Sequence, residues 1–331
     1  MKKYFFTALS SIIIISTLVA FTSTTAISEI ENINISSVEE LDSLSDFSFA
    51  LFSDNQGASP FDNIQMSRMN SWMKKSNVNF VIGIGDHLMQ QDDRNFLSYI
   101  LRDSWWYKNF YPTNSDAENA YFGKSQGDKY SGGALLKLMQ FKTRKDIALR
   151  ENSSEYYAVR KVNGYTIHII TLHFPDQPAN DSAFSEDSKR FMTNTINSIV
   201  KTEKDIIIVN AHSRYGFWID NLNVQQRETL MNKADLVLSG TTHYFEKYLL
   251  DAKYSNKKVP LIINCGSPTN ARFGAHNGYV QINFLAKEKS LIAQYVNLDN
   301  SKRSLASAKE TFVKHLNGKV KRAVFATPRI S

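Results

Sequence analysis

The sequence predicts an α/β fold in one large domain, with two β-sheets packed face to face and helices outside them. Three features carry that expectation. The alternating run Asp46–Phe52, the amphipathic stretch after it and the apolar run Val78–Ile84 follow the strand–helix–strand order of a βαβ unit with parallel strands. Asn163-Gly164 joins two strand-like runs, Glu155–Val162 and Tyr165–Leu172, and is a dipeptide that favours a two-residue hairpin. The apolar runs also stop at polar residues, as buried strands of α/β sheets do where they open into a site.

Residues 1–26 read as a secretory signal. Lys2-Lys3 form a positive start, an apolar stretch runs from Tyr4 to about Phe21, and Thr24 and Ala26 are small residues at a cleavage point. An uncleaved anchor is the rival reading, because the apolar stretch approaches spanning length. Serine and threonine within it and small residues after it favour cleavage, which makes the mature chain secreted or periplasmic, with no further membrane segment. Residues 27–45 are an acidic, serine-containing lead-in. The domain is expected over 46–300 and a basic, weakly structured tail over 301–331.

Within the domain, the strand at Asp46–Phe52 ends at Ser53-Asp54-Asn55-Gln56. A helix follows, capped by Asp62, with Ile64, Met69, Trp72 and Met73 on one face. The next strand ends at Gly85-Asp86-His87. Leu97–Phe110 reads as helix, Phe110–Thr113 as a strand running into Asn114-Ser115-Asp116, and 123–133 as loop. Tyr165–Leu172 ends at His173. A helix over 185–203 places Met192, Ile196, Ile199 and Val200 on one face. The strand Asp205–Asn210 then ends at His212, and a helix at Val224–Ala234 leads into Asp235–Ser239 and Gly240-Thr241-Thr242-His243. A last hairpin spans Tyr279–Asn297.

Composition narrows the function. The chain has 331 residues and a formal charge of +7, which the two leader lysines lower to +5 once removed. That excess suits small anionic substrates and falls short of a nucleic-acid-binding signature. A single cysteine, Cys265, excludes an internal disulfide and reads as a buried apolar side chain. Oligomeric state has no signature.

Five strand ends carry residues able to share one site: Asp54, Asp86, Asn114, His212 and His243. Each alone is an ordinary turn residue or cap. As an ordered series they offer oxygen and nitrogen donors that suit Mn, Fe or Zn. The series resembles the calcineurin-like metallophosphoesterases, whose motifs are Asp-x-His, Gly-Asp, Gly-Asn-His-Asp/Glu, a strand ending in His, and Gly-His-x-His. Here Asp54, Gly85-Asp86, Asn114, His212 and His243 match. Gln56, Ser115 and Thr241 stand where that family has histidines.

The resemblance, which covers about residues 46–285, implies a four-layer α/β/β/α sandwich with two mixed sheets. It also implies a site of one or two divalent ions, with Asp86 bridging and with affinity weakened by the missing imidazoles. The proton-donating histidine is replaced by Ser115, so His173 and His87 are the candidate catalytic groups, since an imidazole titrates near neutrality. Against these roles, His87 can instead point away along the pleat, and His173 can simply close a loop. Arg214, and less directly Lys124, are placed to meet a phosphate. Two functions follow: hydrolysis of phosphate esters, or binding of a ligand or partner by a pocket that has lost its chemistry.

Overall fold

The computed structural model describes residues 30–55, 60–87, 103–115, 140–151, 153–173, 185–213, 219–247, 258–271, 275–307, 309–316, 318 and 320–326. The leader, the 123–133 loop and Gln56, Asp116, Lys124 and Arg214 lie outside them.

The first sheet has eight strands. Its parallel half is β2 (Phe47–Phe52), β3 (Phe80–Ile84) and β4 (Phe110–Thr113); its antiparallel half is β12 (Gly278–Leu285), β13 (Ser290–Asn297), β14 (Thr311–His315) and β15 (Val320–Phe325). β12 joins the halves by pairing antiparallel with β2, and β1 (Ile30–Ile33) closes the far edge parallel to β15.

The second sheet has seven strands. β7 (Tyr165–Leu172), β8 (Asp205–Ala211), β9 (Leu236–Ser239) and β11 (Leu261–Cys265) are parallel. β6 (Tyr156–Val162) and β5 (Ile147–Leu149) extend one edge antiparallel, and β10 (Phe245–Lys247) extends the other. Asn163 and Gly164 sit at φ 47° and 82°, the left-handed pair a two-residue turn between β6 and β7 requires.

Side chains alternate between the two faces of each strand and set the layers. In β8, Ile206 and Ile208 join the core between the sheets, while Ile207 and Val209 pack on the outer side with Met192, Ile196, Leu230 and Met231. Those four belong to α4 (Glu186–Ser198) and α5 (Val224–Lys233). Both faces of the strand are covered, which explains its unbroken apolar sequence. On the first sheet, Leu41 of α1 (Val38–Leu44) packs against Leu285, Ile292 and Val313. Further along that sheet, α2 (Pro60–Lys75) buries Met66, Met69, Trp72 and Met73. The order is thus helices, sheet, sheet, helices.

Several local expectations change. α2 begins at Pro60, so Asp62 falls in its first turn and is not its cap. Ile64 is 56% exposed and Val200 is 88% exposed, so neither lies on a buried face. Within the expected helix Leu97–Phe110, the described part is α3, Ser104–Asn109, capped by the Asp103 carboxylate. The lead-in supplies β1 and α1, and the basic tail supplies β14 and β15. Phe312 and Val313 of the first tail strand are buried. His168 ties three strands together: Nδ1 lies 2.6 Å from the Tyr157 hydroxyl and Nε2 lies 3.0 Å from Asp205.

Two tests of this packing follow. Cys265 is fully buried and its thiol pKa is pushed well above the ordinary value by burial. It should resist an aromatic disulfide reagent in the folded protein and react with one equivalent after denaturation; prompt labelling of native protein would contradict this packing.

Asp146 links the two sheets, accepting from the Tyr111 hydroxyl of β4 (2.7 Å) and from the Arg144 guanidinium. Burial opposes its charge, but these hydrogen bonds hold its pKa below the usual carboxylate value. A depressed folded pKa contributes stability that is present above the unfolded value near pH ~4 and lost as pH falls through the folded value. Asp146→Asn should therefore cost stability at neutral pH and flatten its fall in acid, read by thermal melts from pH 7 to pH 3.

Candidate metal centre

The carboxyl ends of the parallel strands of both sheets point the same way, and the polar residues gather there. β2 ends at Ser53-Asp54, β3 at Gly85-Asp86, β4 at Asn114-Ser115, β7 at His173, β8 at His212 and β9 at Gly240–His243. The chain turns sharply to present them. Asp54 (φ 54°), Asp86 (53°), Thr241 (81°) and His243 (61°) all adopt left-handed backbone, as does Gly85 (73°). Each such non-glycine residue costs about 1–3 kcal/mol and persists where surrounding structure enforces it, often at a site.

The side chains converge. Asp86 Oδ1 lies 3.1 Å from His212 Nε2, and Asp54 Oδ1 lies 3.4 Å from His243 Nε2 and 4.0 Å from His212 Nε2. One ligand atom each from Asp54, Asp86 and His212 falls within 4.8 Å of the others. Both imidazoles are oriented from behind: His212 Nδ1 donates to Ile84 O (2.6 Å) and His243 Nδ1 to Asn270 O (2.9 Å). With Nδ1 carrying hydrogen, the neutral ring turns the bare Nε2 lone pair towards a carboxylate oxygen. Two acceptors in that position attract only if a cation or a proton lies between them, and a carbonyl behind Nδ1 is the usual support of a metal-ligating histidine.

Charge balance points the same way. Asp54 is fully buried, and burial raises its pKa, with His212 opposing and Asp86 adding to the rise. Burial disfavours a charged His212, yet Asp86 and Asp54 hold its pKa well above the usual imidazole value. Asp54 Oδ2 accepts from the Ser53 hydroxyl (2.5 Å) and the Thr241 amide (3.0 Å), whereas Asp54 Oδ1 accepts no hydrogen bond among the described residues. A buried carboxylate oxygen without a donor, facing two imidazole nitrogens, fits a divalent cation.

Asn114 is buried beside this cluster, its amide nitrogen 3.3 Å from Ser115 O and 3.4 Å from His173 Nδ1. Half-buried His173 therefore stands at the rim, against Asn114. His87, expected there too, turns instead into the core of the first sheet. Its ring sits edge-on to Phe52 and Phe110, its Nδ1 contacts Asn55 Oδ1 at 2.5 Å, and burial pushes its pKa down to about 3. An imidazole held neutral in an apolar pocket is a poor proton carrier at neutral pH.

The sequence reading missed the supports. Ser115 occupies the place of a histidine, and its hydroxyl donates to Asp86 Oδ1 (2.6 Å) while accepting from the Asp86 amide (3.0 Å). Ser53 and the Thr241 amide hold Asp54, and Ser267 Oγ donates to Asp54 O (2.8 Å). The signal for Ser267 was there to read, since Gly266-Ser267 follows β11, another apolar run halting at small and polar residues.

No family model matches the sequence, and no curated protein matches it. Among solved structures, it resembles a purple acid phosphatase from yellow lupin (Lupinus luteus) seeds at 13% identity and TM-score 0.51, over 84% of this chain and 54% of that one. It also aligns with GAP50, the anchor in the inner membrane complex of Plasmodium, at 13% identity and TM-score 0.49, over 82% of this chain and 90% of that one. The chain thus spans about half the length of the lupin enzyme. Two mixed sheets face to face, helices outside, and a site where the parallel strands end give this chain the α/β sandwich fold of the calcineurin-like metallophosphoesterases.

Proposed function

We propose that the chain is a secreted or periplasmic metal-dependent phosphoesterase, a phosphatase or phosphodiesterase, with an atypical metal site. One observation carries this reading: His212 aims Nε2 at an oxygen of partly buried Asp86 and His243 aims Nε2 at one of fully buried Asp54, while a backbone carbonyl holds each Nδ1. Asp54, Asp86, His212, His243 and Asn114 are the residues to hold a divalent Mn, Fe or Zn ion. When bound, that ion supplies Lewis-acid activation of a phosphate ester and of water.

The chain's own groups do the rest. Ser115 fixes the Asp86 carboxylate, and Ser53 with the Thr241 amide fixes Asp54, so the ligands are set before substrate arrives. His173 is the candidate proton donor to the departing alcohol, because it stands at the rim beside Asn114. Arg214 is the candidate partner of the phosphate. No described helix is long and apolar enough to cross a membrane.

Purified protein should contain a tightly held transition metal and hydrolyse an aryl phosphate or a bis-aryl phosphate, with activity lost in chelator and restored by metal. Metal-free protein that stays inactive after loading would favour the alternative, a pocket that binds without turnover. His173→Ala should lower kcat by about 10²–10⁴-fold, the usual contribution of a general acid, and remove the alkaline limb of the kcat profile. A parallel fall in KM-dependent binding with an unchanged pH profile would leave His173 a structural role only.

A further inference from the structure

Enzymes that hydrolyse phosphate esters with two metal ions place them ~3.5–4 Å apart around a shared carboxylate. The groups in this cleft are arranged differently. Resting on the metal-dependent reading above, we infer that the cleft holds a single cation, gripped by Asp54 Oδ1, Asp86 Oδ1 and His212 Nε2 together, with His243 Nε2 beside it.

Four observations support this. The three atoms that converge within 4.8 Å come from both sheets, so among the described residues Asp54, Asp86 and His212 are close enough to meet on one ion. Asp54 faces this set with a single free oxygen, because Oδ2 is saturated by the Ser53 hydroxyl and the Thr241 amide. The third is the direction of one of these donors: the Thr241 backbone N–H points at Asp54 Oδ2, which leaves that oxygen to a hydrogen bond and not to a second ion. A hydrogen directed at the carboxylate carries positive charge and repels a cation there.

The fourth observation is at Asp86. The oxygen that faces His212, Oδ1, already accepts the Ser115 hydroxyl at 2.6 Å. That bond takes up part of the capacity a bridging carboxylate would give to a second ion. Charge agrees among the described residues: the carboxylates of Asp54 and Asp86 balance one dication, while a second would leave net positive charge.

The stoichiometry of Co(II) binding tests this, read by calorimetry, by the visible ligand-field band and by elemental analysis after desalting. One ion per chain is expected. Two ions per chain would overturn the single-ion inference while leaving the metal-dependent reading intact, and no bound ion would overturn both.

Two variants sharpen the result. If the ligands form one set, Asp54→Asn and His212→Ala should each abolish Co(II) binding outright, with at least ~100-fold loss of affinity. If they served two positions, each variant would keep one equivalent at the other, and that outcome would refute the inference. Far-ultraviolet circular dichroism and a thermal melt of each variant confirm that the protein tested is folded. In a variant that fails to fold, the wild-type stoichiometry alone decides.

Discussion

Asp86→Ala is expected to remove metal binding and to lower kcat/KM on a bis-aryl phosphate by about 10³-fold or more, equivalent to ~4 kcal/mol of lost transition-state stabilisation. Three connections fail together in this variant. His212 Nε2 loses the oxygen 3.1 Å away, Ser115 Oγ loses its acceptor at 2.6 Å, and the carboxylate charge that offsets a cation disappears. Loss of Asp86 is costly because buried His212 is left without that compensating charge. Of the two carboxylates near His212 Nε2, Asp54 Oδ1 at 4.0 Å would remain.

Asp86→Asn separates charge from shape. The amide preserves the volume and can keep the Ser115 contact, so the fold should hold while metal affinity falls. Its own donors would face His212 Nε2, which must then act as an acceptor and is withdrawn from metal. Metal content by elemental analysis, with turnover measured on the same preparation, reads both effects. Full metal occupancy in Asp86→Asn would disprove the assignment of Asp86 as a ligand.

Much of this site was legible because strand ends are legible. Asp54, Asp86, Asn114, His212 and His243 each follow an apolar run, and the parallel strands bring them to one end of the sandwich. What decided the local chemistry was less visible, because it depends on direction. His87 and Asp86 are neighbours, but Asp86 adopts left-handed backbone and faces His212, while the His87 ring lies against Phe52 and Phe110. Ser115 read as the absence of a histidine, and only the geometry shows the serine holding Asp86 from two atoms. The tail went unrecognised because the strands Thr311–His315 and Val320–Phe325 are short and their apolar residues are interrupted by Lys314, His315, Lys321 and Arg322. Their stability comes from pairing with β13 and β1, contacts distant in sequence.

Gly85→Ala should show that the site's geometry is enforced by packing as well as by its charged groups. Gly85 has φ 73°, a conformation that costs an L-residue about 1–2 kcal/mol. A methyl group there would lie 2.5 Å from His212 Cγ and 2.6 Å from both Cβ and Nδ1 of the same ring. Those distances are far inside contact, and the ring cannot yield easily. On its other side the Cβ position of Gly240 is 2.8 Å from His212 Nδ1 and 2.6 Å from Ile84 O, the carbonyl that orients the ring.

The His212 ring is thus held where the two glycines leave room, and a methyl on either pushes it off the Ile84 carbonyl. Overpacking of this kind costs about 1–3 kcal/mol, so with the backbone penalty Gly85→Ala should lose roughly 2–5 kcal/mol. For a chain of this size that is a fall in Tm of about 3–7 °C. Metal affinity should fall as well, because His212 Nε2 moves with the ring. An unchanged melting temperature together with unchanged metal binding would show that His212 has another stable position, and that the two glycines do not set the geometry of the centre.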